Sequence, residues 1–176
     1  MAADTARLEF RPYLPEHLLA LLEGPRKFEE CMGLRAADGL REFYLSDEVS
    51  PAWLAQLRAS PAADPWVHGF AVIPRESGEV IGSAGFKGPP DVDGMVEIAY
   101  GIVPAHQGRG YATEAATALL AFAFGDGRVN LVRAHTLPEH NGSTRVLTKC
   151  GFEFVGEVVD PEDGLVWRWE RRREPA

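Results

Sequence analysis

Between residues 95 and 124 the hydrophobic period of this chain switches from that of a strand to that of a helix, and the switch is made across two glycines. In Met95–Ile102, Val96, Ile98, Tyr100 and Ile102 fall on one side, with Glu97, Ala99 and Gly101 on the other, as in a strand. Gly110–Phe124 repeats helically, with Ala112, Ala115, Ala116, Leu119, Leu120, Ala123 and Phe124 on a broad apolar face. The link is Val103-Pro104-Ala105-His106-Gln107-Gly108-Arg109-Gly110-Tyr111-Ala112. Glycines just ahead of a helix let a ligand approach the backbone closely. The first N–H groups of a helix have no internal acceptor and lie at the positive end of its dipole. The segment therefore reads as a cradle for a phosphate or pyrophosphate.

Three phosphate-binding patterns compete for it. No Gly-x-x-x-x-Gly-Lys-Ser/Thr loop is present. A dinucleotide fingerprint fits poorly: Thr113 stands in place of the third glycine, and the nearest following acid, Asp126, reads as a turn residue. The third pattern, Gln/Arg-x-x-Gly-x-Gly/Ala, is met by Gln107, Gly110 and Ala112.

The rest of the chain arranges elements around this loop. Leu8–Pro12 reads as a strand and Pro15–Phe28 as a helix; Glu29–Asp47 is ambiguous between helix and loop. Ser50 is placed to cap a helix Pro51–Ala59 with proline at its first position. Pro61–Asp64 reads as a loop. Strands Trp66–Ile73 and Val80–Lys87 are joined by the turn Pro74–Glu79, and Pro89–Gly94 turns into Met95–Ile102, an antiparallel meander. The helix and the strand Leu131–Thr136 that follow make one crossover, so that strand is parallel to Met95–Ile102. Asn141 caps a helix to Lys149 that Gly151 closes, and Phe152–Val159 with Gly164–Arg171 form a terminal hairpin. The expected class is α+β: a mixed, mostly antiparallel sheet with one parallel junction and helices on both faces.

Length and charge bound the function. With 176 residues, the chain suits a single domain spanning 1–176. The net charge of −8 argues against a nucleic-acid partner and allows a cationic one. The basic run Arg171–Arg173 reads as a solvated terminus. Cys31 and Cys150 exclude a disulfide scaffold and a four-cysteine zinc site, and Cys150 beside Gly151 reads as a small buried residue. Met1–Arg11 has no apolar core for a secretory signal, and the most apolar run, Ala115–Phe124, is too short to span a membrane. A soluble, cytoplasmic, reduced protein without membrane or nucleic-acid partners is expected. His135 and His140 lie five apart with Pro138 between them, so no metal site is expected.

Glu97-Ile98-Ala99-Tyr100-Gly101-Ile102, then Gln107–Glu114, then Asn141-x-Ser143 with Val146-Leu147-x-Lys149-x-Gly151-Phe152, resembles the GCN5-related N-acetyltransferase (GNAT) family. Within it the chain looks most like the ribosomal-protein alanine N-acetyltransferase subgroup. The likeness is dense from Val80 to Gly156 and diffuse over Leu8–Ile73. It implies a six- to seven-stranded sheet splayed at its parallel junction, and transfer of acetyl from the cosubstrate acetyl-CoA to a primary amine by direct attack. The amine would be a protein N-terminus or a small molecule. The resemblance places the pyrophosphate on the backbone of Gln107, Gly108, Arg109, Gly110, Tyr111 and Ala112, and the rest of the cofactor near Ile102, Val103, Asn141 and Ser143.

Glu97 is the implied general base, since an ammonium cannot attack before losing a proton; its bland alternative is a structural acid. Tyr100 or Ile102 would offer a backbone N–H to the oxyanion. Where many relatives place a proton-donating tyrosine this chain has Leu147, which leaves Ser143, one turn earlier on the same face, to protonate the thiolate or simply to satisfy helix-start amides. Asn141 fits a pantetheine contact and a helix cap equally. Trp167 and Trp169 alternate on the last strand and fit sheet packing or a homodimer contact. Two other classes stay open: a non-catalytic acyl-CoA-binding or sensing domain, and a dinucleotide-binding oxidoreductase module.

Overall fold

The computed structural model describes residues 4–45, 51–161 and 163–175. Nine strands lie along them: β1 (Leu8–Pro12), β2 (Arg35–Ala36), β3 (Phe70–Pro74), β4 (Glu79–Val80), β5 (Gly82–Phe86), β6 (Met95–Ile102), β7 (Leu131–Thr136), β8 (Glu153–Asp160) and β9 (Gly164–Arg172). Seven form one sheet, ordered β1-β3-β5-β6-β7-β9-β8, and β2 pairs with β4 beside it. The helices are α1 (Pro15–Glu23), α2 (Pro25–Met32), α3 (Pro51–Ala59), α4 (Pro65–His68), α5 (Tyr111–Phe124) and α6 (Gly142–Lys149). The mixed, mostly antiparallel sheet is as expected.

The parallel junction positions everything else. β6 and β7 are in register only over Met95↔Leu131, Val96↔Val132 and Glu97↔Arg133. On its other edge β6 stays paired with β5 up to Ile102↔Gly82. β7 meanwhile follows β9 to Thr136↔Trp167. The two parallel strands thus diverge beyond Glu97, and a wedge opens along the last residues of β6.

Both faces of the sheet are covered. On one, Phe122 of α5 packs edge-on or tilted against Trp66, Phe70 and Phe86, with ring centroids 5.0, 5.3 and 5.6 Å away; such pairs contribute about 1 kcal/mol each beyond their buried area. On the other, Tyr13 packs against Phe28 of α2 and reaches the Ser83 hydroxyl at 3.0 Å. Arg41 donates to the carbonyls of Leu21 and Leu22 at the end of α1, where helix C-terminal carbonyls lack partners. That fastens the 3-10 turn Arg41–Tyr44 over the sheet.

Several local expectations are corrected. The helix expected over Pro15–Phe28 breaks at Gly24-Pro25: proline has no N–H to continue α1, and it opens α2 at the first position instead. Part of the ambiguous stretch is resolved as the end of α2, β2 and the 3-10 turn. The strand expected from Trp66 starts only at Phe70, because Asp64 caps a single helical turn by accepting from the Trp66 N–H. The strand expected over Val80–Lys87 divides into β4 and β5. Ser50, expected to cap α3, lies outside the described residues. Arg171 and Arg173 are not a free solvated terminus: they donate to the carbonyls of Cys150, Val129 and Asp126, tying β9 to the ends of α5 and α6.

Gly69 makes the turn from α4 into β3 at φ 72°, ψ −158°, a region essentially reserved for glycine. A Cβ there would lie 2.7 Å from the Ala84 carbonyl oxygen. Gly69→Ala is expected to cost about 3 kcal/mol and to lower the melting temperature by roughly 6–12 °C. A melt unchanged within about 2 °C by circular dichroism would contradict this placement of the turn.

Candidate active site

Two cavities meet at the splayed end of β6. The larger, about 640 Å³, runs between the start of α5 and α6; its lining includes Tyr100, Gly101, Ile102, His106, Gln107, Gly108, Gly110, Tyr111, Ala112, Asn141 and Ser143. The smaller, about 350 Å³, lies over the meander under Phe43, Tyr44 and Trp53, with Ser83, Gly85, Ala99 and Gly101 among its lining. Phe43, Tyr100 and Gly101 border both.

The loop between β6 and α5 forms one wall of the larger cavity. Gly108 and Gly110 both take positive φ, 76° and 82°, so the backbone turns sharply into α5. Gly110 is the residue ahead of the helix and has no side-chain cap. The first intrahelical bond here runs from the Glu114 N–H to the Gly110 carbonyl, which leaves the N–H groups of Gly110, Tyr111, Ala112 and Thr113 without intrahelical acceptors. All four residues line the cavity. Gln107 donates from its side chain to the Ile102 carbonyl at 2.9 Å, closing the loop back onto the strand. His106 Nδ1 is a further buried polar atom of this cavity without a partner.

The wall of β6 presents donors to the gap. The Glu97 carbonyl accepts from the Lys87 N–H and the Val103 N–H donates to Ile81, so the odd-numbered residues of this strand direct their backbone toward β5 and the segment preceding it. By alternation, Tyr100 and Ile102 direct theirs toward β7, which has already diverged. Tyr100 and Ser143 line the same cavity, and burial pushes the Tyr100 pKa well above the ordinary phenol value. Tyr100 remains a neutral phenol at physiological pH.

Asn141 caps α6: its Oδ1 accepts the Thr144 N–H at 3.1 Å, and its own N–H donates to Thr144 Oγ1 at 3.0 Å. That box occupies the carbonyl side of its amide and leaves the NH₂ side available. Leu147 is buried, in keeping with an apolar residue facing the core. Val103 is fully buried and, like Arg109, is not among the residues lining the cavity.

Glu97 borders neither cavity. It lies on the same face as Ala99 and Gly101, held by Lys87 Nζ at 3.1 Å and His135 Nδ1 at 3.0 Å. Trp169 is buried, donating from its indole to Thr136 Oγ1 at 3.1 Å, so it cannot supply a dimer contact. Trp167 is half-buried against His140 and Phe154.

Phe43, Tyr44 and Trp53 give the smaller cavity an aromatic cover. Tyr44 stacks on Trp53 at 6.1 Å and donates to Ser83 Oγ at 2.8 Å; burial pushes its pKa up to about 12, so it stays a donor. The sequence around residues 40–53 has no clear period; the Arg41 bonds to α1 and the Tyr44 bond to Ser83 hold the 3-10 turn over the sheet. Arg145 and Lys149, four apart on α6, also line the larger cavity, and neither makes an ion pair among the described residues. Arg7 is a third basic group at the cradle: it pairs with Glu114 and lies 4.6 Å over the Tyr111 ring. The spacing of 145 and 149 was a readable signal; the position of Arg7 depends on the strand β1.

A chain with this splayed mixed sheet and a glycine turn leaving free helix-start N–H groups at its central strand-to-helix junction has the architecture of an acyltransferase fold. The family model described as acetyltransferase (GNAT) domain matches residues 7–153, and the chain belongs to that family. It is 33% identical over 89 residues to the uncharacterized N-acetyltransferase YjdG of Bacillus subtilis (strain 168), a match covering 51% of each chain. It is 33% identical over 93 residues to the uncharacterized N-acetyltransferase p20 of Bacillus licheniformis, covering 53% of this chain and 52% of that one. The match thus spans about half the length of these curated relatives. Among solved structures, RimL, a ribosomal L7/L12 alpha-N-protein acetyltransferase in complex with coenzyme A, superposes with a TM-score of 0.66 at 15% identity over 97% of each chain. None of the described helices is long and apolar enough to cross a membrane.

Proposed function

We propose that this chain is a single N-acetyltransferase domain that moves an acetyl group from acetyl-CoA to a primary amine by direct attack. The observation that carries this reading is the meeting of the two cavities at Tyr100 and Gly101, beside strand N–H groups that face an open wedge. The larger cavity suits the cosubstrate. Its four free helix-start N–H groups receive the pyrophosphate oxygens, and the glycines keep side chains out of the way. Arg145 and Lys149 add positive charge for the remaining phosphate.

The smaller cavity suits the amine. Glu97, by way of water, takes the proton that the ammonium must lose. The free amine attacks the thioester carbonyl carbon, and the Tyr100 or Ile102 N–H stabilises the resulting oxyanion. As the C–S bond breaks, the sulfur leaves as a thiolate. Ser143 gives its hydroxyl proton to the sulfur, making the free thiol, and takes in its place, by way of water, the second proton lost from the nitrogen. The aromatic walls and the hydroxyls of Tyr44 and Ser83 favour an α-amine next to a small apolar group, such as a peptide N-terminus. No carboxylate is found among the described residues lining this cavity, so a polycation is less well matched.

The test is release of free CoA thiol from acetyl-CoA against peptides with free N-termini, lysine, polyamines and aminoglycosides, with an acceptor-free blank. Release with peptides at least about tenfold over the blank is expected. Tight acetyl-CoA binding without release above the blank for any amine would replace the transferase reading with an acyl-CoA-binding domain.

A further inference from the structure

Three interactions meet on the polar face of β6, and together they orient a single carboxylate. Arg168 Nε donates to His135 Nε2 at 3.0 Å. His135 Nδ1 lies 3.0 Å from Glu97 Oε2, and Lys87 Nζ lies 3.1 Å from the same oxygen. No hydrogen bond reaches Glu97 Oε1 among the described residues.

We propose that His135 is a positioning residue for Glu97, with Arg168 setting the tautomer of its ring. The proposal rests on the reading of Glu97 as the base. An arginine can only donate, so Nε2 of His135 must carry a lone pair. The ring proton is then on Nδ1, where it is given to Glu97 Oε2. One carboxylate oxygen is thereby fixed from two sides, and the other is left to take a proton.

The sheet register explains why these residues meet. His135 and Arg168 are direct partners across β7 and β9. Glu97 sits opposite Arg133, two residues before His135 on the same face. Arg133 does not compete for it, because it is held by Glu170 at 2.8 and 2.9 Å. Beyond Lys87, Asp163 stands 3.8 Å from the lysine and draws it to the hairpin side. The His135 and Glu97 side chains are 8% and 16% exposed, so water competes weakly for the bond between them.

Glu97 lies two strand residues, about 7 Å, from Ala99 on the floor of the smaller cavity. At that distance the free oxygen acts through water, and its direction matters: an unanchored glutamate samples several rotamers, few of which face the cavity. A plain structural staple across β6, β7 and β9 is the competing explanation, and the test separates the two.

Turnover is to be measured for the wild type, Glu97→Gln, His135→Leu, His135→Asn and Arg168→Met, with thermal melts for each. His135→Leu is expected to lower kcat about tenfold or more, with KM for acetyl-CoA within about twofold of wild type. Asparagine places an N–H close to the position of Nδ1, so His135→Asn is expected to recover kcat to within about threefold. In nitrogen-15 spectra of labelled histidine, the wild-type ring should be protonated at Nδ1, and Arg168→Met should raise the fraction protonated at Nε2.

Wild-type kcat in His135→Leu alongside a crippled Glu97→Gln overturns the positioning role. So does an equal loss in His135→Leu and His135→Asn that follows their melting temperatures. Full turnover of Glu97→Gln overturns instead the reading on which the proposal rests. A wild-type ring protonated at Nε2 overturns the proposal without any turnover assay.

Discussion

Gly110→Glu is expected to weaken acetyl-CoA binding by at least about 100-fold while the fold survives. Two effects add. Gly110 sits at φ 82°, so any L-residue there costs about 1–2 kcal/mol of backbone strain. A Cβ would also come within 3.1 Å of the Arg7 guanidinium, a half-exposed group that can move aside. The larger effect is electrostatic: the new carboxylate occupies the helix start and offers itself to the N–H groups meant for phosphate. A melting temperature lowered by only about 2–8 °C, together with lost calorimetric binding, is the expected pair of results. Undiminished affinity would remove the cradle from the binding site.

Glu97→Gln is expected to lower kcat about tenfold or more, with acetyl-CoA affinity nearly unchanged. The amide has the shape of the carboxylate but cannot accept a proton from an ammonium at neutral pH. Lys87 loses its nearest partner, yet its side chain is 44% exposed and keeps water and Asp163, so little stability is lost. Glu97 is also remote from the helix-start cradle, which is why affinity and turnover should separate. Steady-state rates across acceptor concentrations, with calorimetry for acetyl-CoA, measure both quantities. Near-normal kcat would make Glu97 a structural acid in the β6–β7–β9 network.

Much of this was legible without coordinates. The period switch at residues 95–124 is local, and so are the glycines between the two patterns. Each depends on backbone sterics and on which side chains share a face, and both were found where the pattern put them. The Asn141 cap is equally local. Local conflicts were harder to read. Asp64 capping a single turn outcompeted the strand pattern of Trp66–Ile73, and Gly24-Pro25 divided a segment whose apolar spacing was continuous.

The environment of Glu97 was illegible for a different reason. Its partners are 10 residues earlier and 38 residues later in the chain, and Arg168 is 33 beyond His135. Nothing in their spacing signals contact; the register of a parallel and an antiparallel pair brings them together. The walls of the smaller cavity are similar, since Phe43 and Tyr44 come over the sheet through the bonds of Arg41 to α1 and of Tyr44 to Ser83, and Trp53 joins them from α3.

The amino-acid order alone thus determined the central strand, the glycine turn, the helix start with its unpaired N–H groups and the alternation that sets Glu97 apart from Ile98. Those follow from hydrogen-bonding and steric rules acting over a few residues. Where β6 parts from β7, which residues share a cavity with Ser143, and which oxygen of Glu97 is left free were decided only by the tertiary structure. Each depends on strand order, register and packing between segments far apart in the chain, where the same local pattern is compatible with many partners.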